Sequence, residues 1–307
     1  MHPAWSVIVF TTVAGAAQGL VVALALGTLL GVPMDAGFVD AALMLALTML
    51  LIGLAASFLH LGHPLRAWRA VAMWRTSWLS REVIVLPAFI GVVGLWWLAQ
   101  RVGWHPAWLP WLAIALAALL WYCTAMIYAC IRFIQEWAHA LTVINYTLIG
   151  LASGLVLGAA LAAWGDDATA RALLRWALGF TLLAWATRTL ALRRNAGLKP
   201  KSTLQSATGI PATKLVQKSM GMSAGSFNTR EFFHGASRLA MQRIKLAVHG
   251  LCFAVPAALM VSVQHFNAPL ALLLPACLAM AVGLLAERWL FFAQARHPQN
   301  LYYQTVS

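Results

Sequence analysis

The sequence is poor in charge and poorer still in acid. Of its 307 residues only 9% are charged, and 8 Asp and Glu stand against 21 Lys and Arg, a net charge of +13. Soluble domains carry about 25% charged residues, so this chain has too little polar surface to coat a water-facing core. Any Cys-x-x-Cys pair is missing as well: Cys123, Cys130, Cys252 and Cys277 sit singly in apolar runs. The ligand spacings of zinc and iron–sulfur sites are therefore absent, and no metal is expected in the chain itself. The segment MHPAWSVIVF has no Lys or Arg ahead of the first apolar run. It lacks the basic region of a signal peptide and reads as a retained first span. Disorder, a disulfide scaffold, a coiled coil and a nucleotide-binding α/β fold all conflict with this composition.

What the chain has in abundance is apolar length: 62% hydrophobic residues, 15 Trp and a mean hydropathy of +0.79. A helix crossing the hydrocarbon needs about 20 apolar residues. Eight stretches qualify: Val7–Leu30, Asp40–His60, Val83–Ala99, Leu109–Ile131, Leu141–Ala163, Ala172–Leu192, Leu246–Val263 and Pro269–Phe292. They are continuous rather than alternating, which excludes a β-barrel. The expectation is an all-α integral membrane protein, a single domain over 1–307 with eight transmembrane helices.

The basic residues are distributed by side. With that topology, 18 of the 21 Lys and Arg fall on the side of the termini and the even connections, leaving Arg101, Arg171 and Arg175 opposite. The positive-inside rule then predicts cytoplasmic N and C termini in a bacterial inner membrane. Topology accounts for the net charge, with anionic lipid as a further attraction, and nucleic acid loses its claim as a partner. The odd connections are short, with Trp104, Trp108, Trp111 and Trp164 as interfacial anchors. On the even side, Leu61–Glu82 and especially 193–243 are long and basic and are the expected partner-docking surface, with Arg69, Arg75 and Arg81 in the first and Lys199, Lys201 and Arg230 in the second.

The densest polar cluster follows the second span: HLGHPLRAWR, then WRTSWLSREV, with His60, Gly62, Arg66 and Glu82. An imidazole at the membrane boundary, flanked by guanidinium groups, suits a ligand with an apolar tail and a proton-exchanging head, such as a quinol. The same cluster also reads as interfacial polar residues with orienting arginines. Glu287 and Arg288 close the last span on that side; ionisable groups at such depth are paired or functional. Arg132 and Glu136 have i,i+4 spacing and read as helix support. Tyr128 is a weaker candidate for a quinone head. Two further classes stay open: a haem b subunit using His60, His139 or His249, and a secondary transporter, which lacks support from broken helices in matching halves.

The segments ASFLHLGHPLRAWRA, TSWLSREV, YACIRFIQEW and AERWLFFAQARHPQNLYY resemble the DmsC family, the membrane anchor subunits of dimethyl sulfoxide reductase-type molybdoenzymes. The resemblance covers essentially the whole chain. It implies an anchor without its own metal or haem that binds quinol or quinone (menaquinone or ubiquinone). It also implies two partners: a four-cluster iron–sulfur subunit and a molybdopterin catalytic subunit. The family's quinol histidine lies in an HLG motif, matched by His60 and Gly62; Arg66, Glu82, Glu287 and Arg288 fall in matching segments. The long sixth connection with GSFNTREFFHG resembles a subgroup that includes anchors of sulfite-oxidising enzymes.

Overall fold

Residues 4–59, 63–216, 238–266 and 268–296 are described by the structure, a computed structural model. The long helices are α1 Trp5–Leu29, α2 Ala36–Phe58, α3 Trp78–Arg101, α4 Trp108–Ala129, α5 Ala140–Ala162 and α6 Asp167–Ala196. A short α7, Leu204–Thr208, follows, then α8 Arg238–Ala247, α9 Val255–His265 and α10 Leu273–Ala293. A π-helical stretch, Val248–Ala254, joins α8 to α9 without a break. A 3-10 segment, Pro64–Met73, lies between α2 and α3. The chain is an all-α, multi-pass membrane protein.

Seven helical segments are long and apolar enough to cross a bilayer, among the described residues: α1 to α5, Leu239–His265 and Leu270–Ala293. That is one fewer than the eight stretches read from the sequence. The remaining one became α6, whose Arg171, Arg175, Arg188, Arg193 and Arg194 dilute the apolar run. At 30 residues, α6 measures about 45 Å, ample for a crossing. Its two ends reach opposite ends of the bundle. At its start, Asp166 caps the helix by accepting from Thr169 N and also accepts from Asp35 N at 3.0 Å. At its finish, Arg194 Nη1 donates to Gln135 O at 3.1 Å.

These contacts define an acidic end, with Asp35, Asp40 and Asp166, and a basic end, with the 3-10 segment and the α4–α5 connection. At the acidic end Arg101 makes a two-pronged bond to Asp40, both contacts 2.9 Å. Trp104, Trp108, Trp111 and Trp164 are all exposed at this end, as interfacial anchors require. Bulky apolar side chains such as Leu51, Ile52, Leu98 and Leu278 are exposed along the helices, a surface suited to lipid rather than water.

α1 is the central helix, buried along most of its length and packed by α2, α4, α5 and α10. Its closest neighbour is α5, because both helices present glycine: Gly15 and Gly19 on α1, Gly150 and Gly154 on α5. A Cβ on Gly154 would strike the backbone of Gly19 and Leu20, and one on Gly150 would come 3.1 Å from Gly15 O. Small residues four apart let backbones touch, which drives helix association where no hydrophobic effect operates between helices. A similar contact sets Gly283 of α10 against the backbone of Cys252 in the π-helical stretch.

Polar segments refine the expected boundaries. The connection read as 193–243 is shortened at both ends, by α6 running to Ala196 and by α8 starting at Arg238. Arg132 and Glu136 are not on a helix, since α4 ends at Ala129 and turns follow. Glu136 instead accepts from Arg296 N at 3.4 Å, so the expected i,i+4 support is absent. The glycine seam predicts that Gly154→Val separates α1 from α5 and lowers the unfolding temperature in detergent by several degrees, whereas Gly91→Val, in open space, leaves it near wild type.

Candidate functional site

Near the basic end the bundle encloses charges that the lipid would not tolerate. Glu287 is 1% exposed, and Arg188 and Arg288 are 3% exposed each. Glu287 Oε1 lies 2.8 Å from Arg188 Nε of α6, and its Oε2 lies 3.4 Å from Arg288 Nη1. The first contact is an ion pair by distance, although the Arg188 N–H does not point along it. Arg288 also rests its guanidinium 3.9 Å above the Tyr146 ring of α5, a cation–π contact. One carboxylate thus binds α6 to α10, and Tyr146 ties in α5.

The third element of the site is Glu82 on α3, also buried, which accepts a short hydrogen bond from Thr124 Oγ1 of α4. Glu82 makes no direct contact with Glu287 or Arg288; the two groups are linked through a polar interior. Thr124 lines a narrow cavity together with Gln18, Trp121, Tyr146 and Arg288. Tyr146 and Arg288 also line a second cavity with Glu287, Arg188, Asn145 and, at its mouth, Glu136, His139 and Arg194. Both are narrow crevices of about 10 Å³ each, room for a single water but not for a ring. Facing these crevices, Tyr146 OH, Gln18 Oε1, Arg188 Nη2 and Arg288 Nε are buried without a hydrogen-bond partner.

Around this cluster, Tyr128 packs among Trp137, Tyr146, Phe291 and Phe292 with ring centroids 5.3 to 5.9 Å apart, and Trp137 Nε1 donates to Phe291 O at 3.0 Å. At the cavity mouth His139 caps α5, its Nδ1 accepting from Leu141 N at 3.1 Å. Partial burial, and then the Arg194 charge, hold His139 below the usual imidazole range. With Nδ1 accepting from Leu141, the neutral ring carries its N–H on Nε2, which is left to donate at the cavity mouth. His249 sits elsewhere, its Nδ1 accepting from Trp185 Nε1 at 2.9 Å.

Of the residues singled out in the sequence, His60 and Gly62 lie outside the described residues, as does Arg230. Arg66 is exposed on the 3-10 segment. Arg69 and Arg75 are exposed, each about 5.5 Å from the ring of a neighbouring Trp, and Lys199 and Lys201 are exposed beyond α6. Arg81 is tied back: it donates to the carbonyls of Trp74 and Arg75 at 2.9 Å and lies 4.0 Å over Trp78. Sequence reasoning missed Arg188, Tyr146, Asn145, Gln18 and Thr124; only Arg188, a charge inside an apolar run, offered a signal. No group of three or more His, Cys, Asp or Glu suited to a metal occurs among the described residues. A larger recess of about 470 Å³ opens at the acidic end between α1 and α4, lined by Met34, Trp96, Gln100 and His105. Its lining carries no buried charge, which separates it from the site described above.

A buried ion pair broken on one side leaves an uncompensated charge, at about 3–5 kcal/mol. Glu287→Leu should therefore lower stability in detergent by about that amount. Adding Arg188→Met should recover part of the loss, read as a non-additive thermal-unfolding cycle. Simple additivity would mean the two side chains are not coupled.

The sequence is similar to those of known proteins. Residues 1–293 match the sequence model of the family described as DMSO reductase anchor subunit (DmsC). Over 326 aligned positions, covering 100% of both proteins, the sequence is 45% identical to the C subunit of the sulfite dehydrogenase of Allochromatium vinosum. It is 34% identical over 114 residues to YnfH, an anaerobic dimethyl sulfoxide reductase chain of Escherichia coli, covering 36% of this protein and 40% of that one. With the C chain of the Haemophilus influenzae anaerobic dimethyl sulfoxide reductase it shares 31% identity over 128 residues, 40% of this protein and 46% of the relative. The protein with the buried Glu287–Arg188–Arg288 cluster belongs to the DmsC family of membrane anchor subunits.

Proposed function

We propose that this protein is the membrane subunit through which a sulfite-oxidising molybdoenzyme complex delivers electrons to quinone. The observation that carries the choice of complex is the end-to-end similarity to the C subunit of a sulfite dehydrogenase, against matches to dimethyl sulfoxide reductase chains over less than half of the sequence. Sulfite and water give sulfate, two protons and two electrons in the partner catalytic subunit. The electrons reach quinone through the partner's iron–sulfur clusters, and quinone takes up two protons to become quinol.

In this reading the basic end faces the cytoplasm of a bacterial inner membrane, with eight crossings that include α6. Arginine inside α6 is compatible with a crossing because Arg188 meets Glu287 instead of lipid. Exposed Arg69, Arg75, Lys199 and Lys201, with Arg81 and Arg230, form the surface on which the iron–sulfur subunit docks, and Arg66 stands with the quinone site. His60, in its HLG sequence with Gly62, hydrogen-bonds one quinone oxygen. Glu82, buried one turn into α3, exchanges the proton. Glu287 and Arg288 stand behind it as the buried charges that accompany proton movement. The protein itself supplies no metal or haem.

A second reading has the same site running in the quinol-oxidising direction for a dimethyl sulfoxide reductase, and the family description favours it. The test is turnover by the assembled three-subunit complex in liposomes. Sulfite-dependent reduction of a short-chain quinone is expected, and dimethyl sulfoxide reduction by quinol in its place would select the second reading. His60→Ala and Glu82→Gln should each lower quinone-linked turnover about 100-fold, measured relative to sulfite oxidation with a water-soluble artificial acceptor. Quinone-linked turnover at the wild-type level in both variants would remove the site from the reaction.

A further inference from the structure

We propose that the Tyr146 hydroxyl passes protons between Glu82 and Glu287, completing a buried polar path from the quinone site to the surface at His139. This rests on the quinone-linked function above and goes beyond it by assigning the route that the protons take.

Tyr146 stands where the two water-sized cavities meet. It lines the one that holds Thr124 and Gln18 and also the one that holds Glu287, Arg188 and the mouth residues Glu136 and His139. Thr124 is hydrogen-bonded to Glu82, so the first cavity begins one hydrogen bond from the carboxyl group that exchanges with quinone. The Tyr146 ring is buried, its hydroxyl has no partner among protein atoms, and it lies within electrostatic reach of Arg288, Glu287, Glu82 and Arg188 together. No other described side chain borders both cavities except Arg288. A guanidinium only donates, whereas a phenol donates and accepts. Of the two shared residues, only Tyr146 can relay a proton.

The ionisable groups around the path come from every packed element. Glu82 is on α3, Tyr128 on α4, Arg188 on α6, Cys252 in the π-helical stretch, and Glu287 and Arg288 on α10. α1 contributes no ionisable group among the described residues, only the Thr11 hydroxyl, bonded back to Val7 O, and the neutral Gln18 amide, its Nε2 held by Ala14 O and its Oε1 unpartnered. Two arginines against Glu287 alone would leave one excess buried positive charge. Ionised Glu82 balances it, and a proton arriving at Glu82 leaves an excess that favours its onward transfer.

The step balances without a net change at the tyrosine. As Glu82 gives its proton to a reduced quinone oxygen, the O–H of Tyr146 transfers its proton through the Thr124 side to the Glu82 carboxylate. Tyr146 regains a proton from the Glu287 side, and water at His139 refills that side. The two electrons come from the partner's iron–sulfur clusters, the two protons from bulk water, and Tyr146 ends neutral. When quinol is oxidised the same sequence runs outward.

Tyr146→Phe removes the hydroxyl and keeps the ring under Arg288 and among the aromatic side chains. The wild-type complex and this variant are compared in liposomes with sulfite and a short-chain quinone, between pH 5.5 and 9, in water and in deuterium oxide. The expected result is a fall in kcat of about 100-fold, an unchanged KM for quinone, and a solvent isotope effect at least twofold larger than wild type. Thr124→Val, at the Glu82 end of the path, should give the same pattern. A kcat within twofold of wild type with an unchanged isotope effect overturns the relay, and so does a raised KM with kcat retained, which would make Tyr146 a quinone contact. A wild-type complex without quinone-linked turnover overturns the parent function as well; an active wild type with an indifferent variant overturns the relay alone.

Discussion

The pairing of Glu287 with Arg188 and Arg288 is the constraint on which the basic end of the bundle depends. A bare guanidinium within the hydrocarbon is costly, so α6 can lie among membrane helices only if Arg188 finds a carboxylate. Glu287 supplies it from α10, and Arg288, the next residue, turns onto the Tyr146 ring. Three helices are brought together by one acid. Such a cluster adds little stability over an apolar equivalent, since desolvation consumes most of the attraction. Its presence in a sequence with only 8 acids therefore fits proton chemistry better than architecture.

The glycine seam places the site in register with that cluster. Tyr146, Gly150 and Gly154 are four apart, so they share one face of α5, the face that meets Gly15 and Gly19 of α1. Close backbone contact at Gly150 and Gly154 fixes the rotation of α5 and turns Tyr146 inward beside Gln18. Toward the basic end the α5 glycines give way to Tyr146, which borders a polar crevice with Gln18, the residue between the two α1 glycines. Packing and chemistry are thus successive turns of the same two helices.

Much of the fold was legible in the sequence because apolar length is a direct signal. Seven of the expected stretches correspond to helices that qualify by composition, and the shortfall at α6 has the same cause as the site: arginines aligned inward. Part of the site was legible for a related reason. Glu287 and Arg288 stand out as charges at the end of an apolar run, and Glu82 lies in a segment with a family resemblance. Arg188 was visible as a residue but was counted with the basic connection, since charge asymmetry says which side and not which neighbour. Tyr146, Asn145, Gln18 and Thr124 are lone polar residues in apolar helices. Nothing in their spacing separates a cavity lining from a helix whose hydroxyls bond back to its own carbonyls, as Thr28 and Thr48 do. Arg132 and Glu136 erred in the opposite direction, because i,i+4 spacing means little where the helix has already ended.

The basic excess consequently divides into two populations with different physics. Exposed Arg66, Arg69, Arg75, Lys199 and Lys201 are screened by salt within about 10 Å, and under the proposed function they attract an acidic partner surface. Arg188 and Arg288 are not screened, and their field acts on whatever charge arrives in the bundle. Under the proposed function, an electron reaching quinone near that field would be stabilised before its proton comes. A proton entering first is repelled unless Glu82 or Glu287 is there to receive it. For the proposed relay, a carboxylate is needed beside each end of the Tyr146 crevice, because a path lined only by arginines would attract electrons and exclude the protons that must follow them.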